Sequence, residues 1–118
     1  MKLKPVMQDG AYVFASINEK MVPYDAPICI FREADSTTVI IPESVAIKLN
    51  IEYSFRAAWI VLTAETSLND LGITAKFAKI LSDNGISCNV FAPIRHDHIF
   101  VPYDKGEQAV KLLEEIEI

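Results

Sequence analysis

The sequence predicts an α+β domain, on three observations. Short β-rich runs bounded by turn residues recur along the chain, as at 12–17, 28–33 and 37–41. An almost unbroken apolar run, Phe55 to Thr63, sits near the middle. Two stretches in the second half place apolar residues at helical spacing, Ile73, Phe77, Ile80 and Leu81, then Ala109, Leu112, Leu113 and Ile116.

The elements follow in order. The first ten residues read as polar or turn-like and end on Asp9-Gly10, a turn signal. Tyr12 to Ile17 is the first strand, and Asn18 to Pro27, with prolines at 23 and 27, is a loop. Ile28 to Glu33 and Thr37 to Ile41 flank a hairpin-sized connection. Pro42-Glu43 opens a short helix, since proline fits the first helical turn and glutamate suits its positive end. Asn50 can close it. Phe55 to Thr63 reads as a central strand covered on both faces. A helix is predicted from Asp70 to Asn84, with Asn84-Gly85 as a left-handed C-cap. Strands at Ile86 to Ala92 and His98 to Tyr103 come next. The last helix runs from Asp104 to Ile116, with Asp104 and Glu107 in a capping-box pattern.

The order is β-loop-β-β-α followed by β-α-β-β-α. The second run is a ferredoxin-like βαββαβ unit lacking its last strand, and the first is the same unit with its first helix replaced by the 18–27 loop. A tandem follows: a shortened unit over 1–54 and a fuller one over 55–118. The incomplete second sheet leaves an edge, which proteins rarely leave bare, for Tyr12–Ile17 or a partner chain to fill.

The 118 residues suffice for one domain, or two small units sharing a core. The formal charge of −5 comes without any cluster of Lys and Arg, which argues against nucleic acid as a partner. No apolar run approaches the ~20 residues of a membrane span. The two N-terminal lysines have no apolar segment behind them, so no secretory signal is read. Cys29 and Cys88 lie in apolar runs and read as buried reduced thiols, so a cytoplasmic protein is expected.

Catalytic signatures are sparse. The four glycines stand at 10, 72, 85 and 106, in no phosphate-loop spacing, and no serine sits in a nucleophile elbow. Arg95-His96-Asp97-His98 is the most polar knot of the second half. His96 and His98 share a strand face, but two ligands fall short of the three or four that zinc needs, so no metal is assigned. A polar turn is the simpler reading, and an acid–base site built on the same residues is the enzymatic one. Ser67 to Thr74 connects the central strand to a helix, where backbone N–H groups at a positive dipole end suit a carboxylate. The simpler alternative there is a β–α turn with Asn69 or Asp70 as N-cap.

Three blocks, in order and at fitting separations, resemble the ACT domain. They are Gly72-Ile73-Thr74-Ala75, Asn84-Gly85-Ile86-Ser87-Cys88-Asn89-Val90 and His96-Asp97-His98-Ile99-Phe100-Val101-Pro102. Ala26-Pro27-Ile28 and Thr37-Thr38-Val39-Ile40 are similar to a shorter first ACT unit, so the resemblance spans about residues 11 to 116. It points to the two-ACT family that includes the CASTOR-type arginine sensors.

The resemblance implies a non-catalytic regulatory protein, without a cofactor, that binds an amino-acid-like ligand at an interface between paired domains. Its site residues would be Asn69, Asp70, Leu71, Gly72, Ile73 and Thr74 in the loop, Cys88 and Asn89 on the second strand, and Asp97. Leu71 stands where a proline commonly precedes the loop glycine. His96 and His98 flank Asp97, so arginine is not assumed. A homodimer is expected, because one chain lacks the four-ACT arrangement of those sensors. The alternative is a ligand-free dimerisation or protein-interaction module.

Overall fold

The computed structural model describes residues 1–118 and divides them into two units, Gly10–Ala57 and Met1–Asp9 together with Ala58–Ile118. The strands are β1 (Pro5–Met7), β2 (Tyr12–Ile17), β3 (Cys29–Arg32), β4 (Thr37–Pro42), β5 (Phe55–Leu62), β6 (Asn89–Phe91) and β7 (Asp97–Pro102). The helices are α1 (Glu43–Lys48), α2 (Ile73–Asp83) and α3 (Gly106–Glu114), with 3-10 turns at Glu19–Met21 and Tyr103–Lys105.

In the unit of residues 10–57 the strand order is β3-β4-β2-β5. β2 pairs antiparallel with β4, Val13 opposite Ile41, and with the start of β5, Tyr12 opposite Ala57. Val13, Ala15, Val39 and Ile41 alternate onto one face and form a core with Ala46 of α1. No helix joins β2 to β3. Asn18 Oδ1 accepts the Lys20 N–H at 2.9 Å to start a single 3-10 turn, after which Val22 enters the core. α1 stops where the sequence suggests. The Ile51 N–H reaches the Ala46 carbonyl at 2.9 Å and the Asn50 N–H that of Ile47 at 3.3 Å, with Asn50 at φ +56°. Asparagine tolerates that left-handed conformation better than other residues with a Cβ.

In the second unit the order is β1-β5-β7-β6, with α2 and α3 supplying the helical layer. Ala58, Ile60 and Leu62 of β5 and Ile99 and Val101 of β7 meet Phe77 and Leu81 of α2 and Ala109 and Leu113 of α3. Each large side chain buried here contributes roughly 1.5–3 kcal/mol. Trp59, between inward residues, stacks on His98 and Phe100 at centroid distances of 5.7 and 6.1 Å.

Several expectations are corrected. The edge of β5 is taken in part by Tyr12–Phe14 of β2, over Phe55–Ala57, and over Ile60–Leu62 by β1, Val6 opposite Val61, a strand the sequence reading does not include. The opening residues, which look turn-like because Pro5 and Lys4 interrupt them, therefore supply the missing fourth strand. α2 starts at Ile73 rather than Asp70, because Gly72 at φ +84° is its N-cap. Neither Asn69 nor Asp70 caps it. Asp104 caps nothing either: it lies in a 3-10 turn, and α3 begins at Gly106 without a side-chain cap. The Gly85 C-cap stands, with Ile86 N–H on the Leu81 carbonyl at 2.9 Å.

The two units repeat one plan. β4 and β7 each begin on a buried polar residue and end on a proline that leads into helical backbone. Those residues, Thr37 and Asp97, are the chain's buried polar side chains. The cross-strand partners match too, Phe31 opposite Thr38 and Phe91 opposite His98. Duplication, legible in element order, thus extends to register.

Candidate functional site

Where β5 ends, the chain is tied down before it turns. Thr63 donates N–H and Oγ1–H to the Lys4 carbonyl at 3.0 and 2.8 Å, and Ala64 N–H reaches Leu3 at 3.1 Å. A closed turn follows. Asp70 Oδ2 accepts the Ser67 N–H at 2.7 Å, Ser67 Oγ accepts the Asn69 N–H at 3.2 Å, and Asp70 N–H returns to the Ser67 carbonyl at 3.0 Å. Thr66 N–H bonds the Arg95 carbonyl at 3.2 Å, joining this loop to the one before β7, and the Arg95 side chain pairs with Glu65.

These two loops and the start of α2 enclose a cavity of about 90 Å³. Asp70, Ile73, Thr74 and Asp97 line it, with Thr66, Ser67, Leu68, Ala92 and Pro93. Asp97 is 9% exposed. Its carboxylate forms no hydrogen bond or ion pair with any protein group. Burial pushes its pKa above the ordinary carboxylate range and Asp70 adds to that, while His98 pulls the other way. On another side of the cavity is the N-terminus of α2, whose first turn has no side-chain cap and no acidic residue. The first intrahelical amide, Lys76 N–H, reaches Gly72 at 3.1 Å, leaving those of Ile73 and Thr74 at the positive end of the dipole.

The cavity therefore gathers four of the nine residues singled out from the sequence. Asn69 and Gly72 shape the loop without lining it, and Leu71 is 95% exposed. Cys88 and Asn89 lie elsewhere, Cys88 packed against the core with burial pushing its thiol up to about 11, and Asn89 paired with Phe100 on β6. Thr66, Ala92 and Pro93 are the lining residues that sequence reasoning missed; Thr66 directly precedes the candidate loop, and Ala92 and Pro93 stand just before the polar knot, which is the signal that could have found them. His98 is engaged on the sheet, where Trp59 Nε1–H donates to its Nδ1 at 3.0 Å. No group of three or more His, Cys, Asp or Glu is arranged to hold a metal ion, and no helix is long and apolar enough to cross a membrane.

A single recess thus offers a buried negative group and a positive helix end. That pair complements a molecule carrying an ammonium beside a carboxylate.

Comparison with known proteins supplies the frame. Two family models described as ACT domain match the chain, one over residues 1–58 and the other over 54–115. A Vibrio cholerae protein of unknown function, described as a possible transport protein, is 37% identical over 99% of this chain and 91% of its own, with a TM-score of 0.89. An Agrobacterium tumefaciens protein is 20% identical over 96% of this chain and 87% of its own, with a TM-score of 0.73. E. coli aspartokinase III, in a structure with aspartate and ADP, shares the fold at 12% identity and a TM-score of 0.65, over 92% of this chain and 32% of its own. No curated protein sequence matches the chain.

Proposed function

The chain belongs to the ACT domain family, whose members are typically ligand-binding regulatory modules, and on that footing we propose that it is a non-catalytic regulator that binds a small amino-acid-like ligand in the 66–74/97 cavity. The observation that carries this reading is Asp97, a residue only 9% exposed whose carboxylate has no protein donor and opens on a recess at a helix N-terminus. Water or a cationic partner from outside is what such a group can bind, and a cation pairs with it more strongly than water.

In this reading the ligand's ammonium, or a guanidinium, sits against Asp97 and its carboxylate takes the N–H groups at Ile73 and Thr74, one residue on from the Gly72–Ile73 pair the sequence suggests. The cavity of about 90 Å³ is well below the roughly 300–1,000 Å³ of self-sufficient ligand pockets, so it holds a head group and leaves the side chain outside. A second copy of the chain covers that exposed part, making a homodimer the regulated form. The ligand shifts the population toward the packing it bridges, limited by its differential affinity for the two states.

The same small volume favours the runner-up, a dimerisation or docking module without a ligand. A thermal-shift screen of the twenty amino acids, on protein sized by light scattering, separates the two. Ligand at 100 times its Kd adds about 2.7 kcal/mol, several degrees for a chain of this size. A shift with one amino acid, lost in Asp97→Ala, supports the sensor. A flat screen with a folded dimer supports the module.

A further inference from the structure

We propose a second binding site, in the unit of residues 10–57, for a small molecule with an apolar body and a cationic head. It is independent of the amino-acid site. The two units share a plan, but between their first and second strands one has the eleven residues of α2 and the other has a loop with a single 3-10 turn. Where a helix is absent, Val22 fills part of the core and a cavity of about 370 Å³ remains.

Its character comes from the residues around it. Ile17 and Ile51, which pack against the core, line it together with Met21 and Leu49. Met21 and Leu49 are 72% and 48% exposed, unusual for apolar side chains with a cavity beside them. The polar lining is rich in acceptors. Asn50 is fixed by the C-cap of α1, and Glu52, exposed at the rim, forms no hydrogen bond or ion pair. No basic side chain lines the cavity. The cavity is a cleft open to solvent on one side, apolar at its base with polar groups around it, and its volume falls within the usual range of small-molecule sites.

Size decides the occupant. At the ~30 Å³ that one water occupies, there is room for about a dozen non-hydrogen atoms. The unpaired carboxylate selects an amine over an acid.

Phenethylamine and 3-phenylpropionate, of similar size and opposite charge, are the probes. Each is titrated into the ¹⁵N-labelled full chain carrying Asp97→Asn, which silences the first cavity, and amide shifts are mapped. Phenethylamine is expected to saturate and to move amides in 16–21 and 49–52, binding roughly fivefold more tightly than the acid. Glu52→Gln should abolish that preference, and Met21→Ser, at an exposed position, should weaken both probes without unfolding the chain. No saturable shift up to about 10 mM, shifts centred elsewhere, or equal binding of the two probes to the Glu52 form each overturn the proposal.

Discussion

Replacing Asp97 by Asn isolates the charge that the proposed function depends on. The side chain keeps its size and loses its charge, so packing at the start of β7 is preserved. In the parent, the ionised carboxylate has no protein donor and reaches water only through the recess, and partial desolvation raises its pKa. Its folded pKa lies above the unfolded value of about 3.9, so the folded state binds more protons between the two. Stability therefore declines as pH rises through that window, and the penalty is fully present at neutral pH. Removing it is worth at most about 1 kcal/mol, because water reaches the carboxylate and screens it. A gain of a few degrees in Tm at pH 7 follows, vanishing below about pH 4, where parent and variant are both neutral at this position. Binding moves the other way. Loss of a charge-assisted hydrogen bond, about 1.5–3 kcal/mol, weakens a cationic ligand roughly 10- to 100-fold. Calorimetric melts at pH 3 and pH 7, with and without the amino acid found in the screen, measure both effects. A variant less stable at pH 7, or a gain that persists undiminished at pH 3, would refute the account of an uncompensated charge.

Other perturbations test the frame around the site. Gly106→Ala places a Cβ 2.7 Å from Met7 Sδ and 2.9 Å from Ala58 Cβ. The thioether can swing away and the alanine cannot, so overpacking of about 1–3 kcal/mol outweighs the roughly 1 kcal/mol gained in helix propensity. A lower urea midpoint, coupled to Ala58→Gly in a double-mutant cycle, is expected. Burial, with His96 adding to it, holds the His98 pKa below its ordinary value, and its Nδ1 must be unprotonated to accept from Trp59. Stability should fall as pH drops from about 6.5 toward the folded pKa. Emission from Trp59, the sole tryptophan, should show an acid step that His98→Asn removes. Cys88, its thiol pushed up to about 11, should react with iodoacetamide at pH 8 roughly a hundredfold or more slower in the folded chain than in urea.

Most elements are legible in the sequence, since their signals are local. Apolar spacing marks α2 and α3, Asn50 and Gly85 mark helix ends, and repeated element order marks the tandem. It also drew attention to Asp97, a charged residue at the edge of an apolar strand. What it could not reveal depends on partners far along the chain. Pro5–Met7 carries no strong strand pattern of its own, and only pairing with Ile60–Leu62, some fifty residues away, makes it β1. Asp70 reads as a helix cap by position, yet Gly72 begins the helix and the Asp70 carboxylate closes the Ser67 turn instead. That Asp97 faces a recess with no protein donor, that Ala92 and Pro93 share its cavity, and that Cys88 and Asn89 do not, emerges only in three dimensions. Propensity is a property of neighbours in sequence, whereas a recess and the partial desolvation of a charge arise only when distant segments crowd the same place.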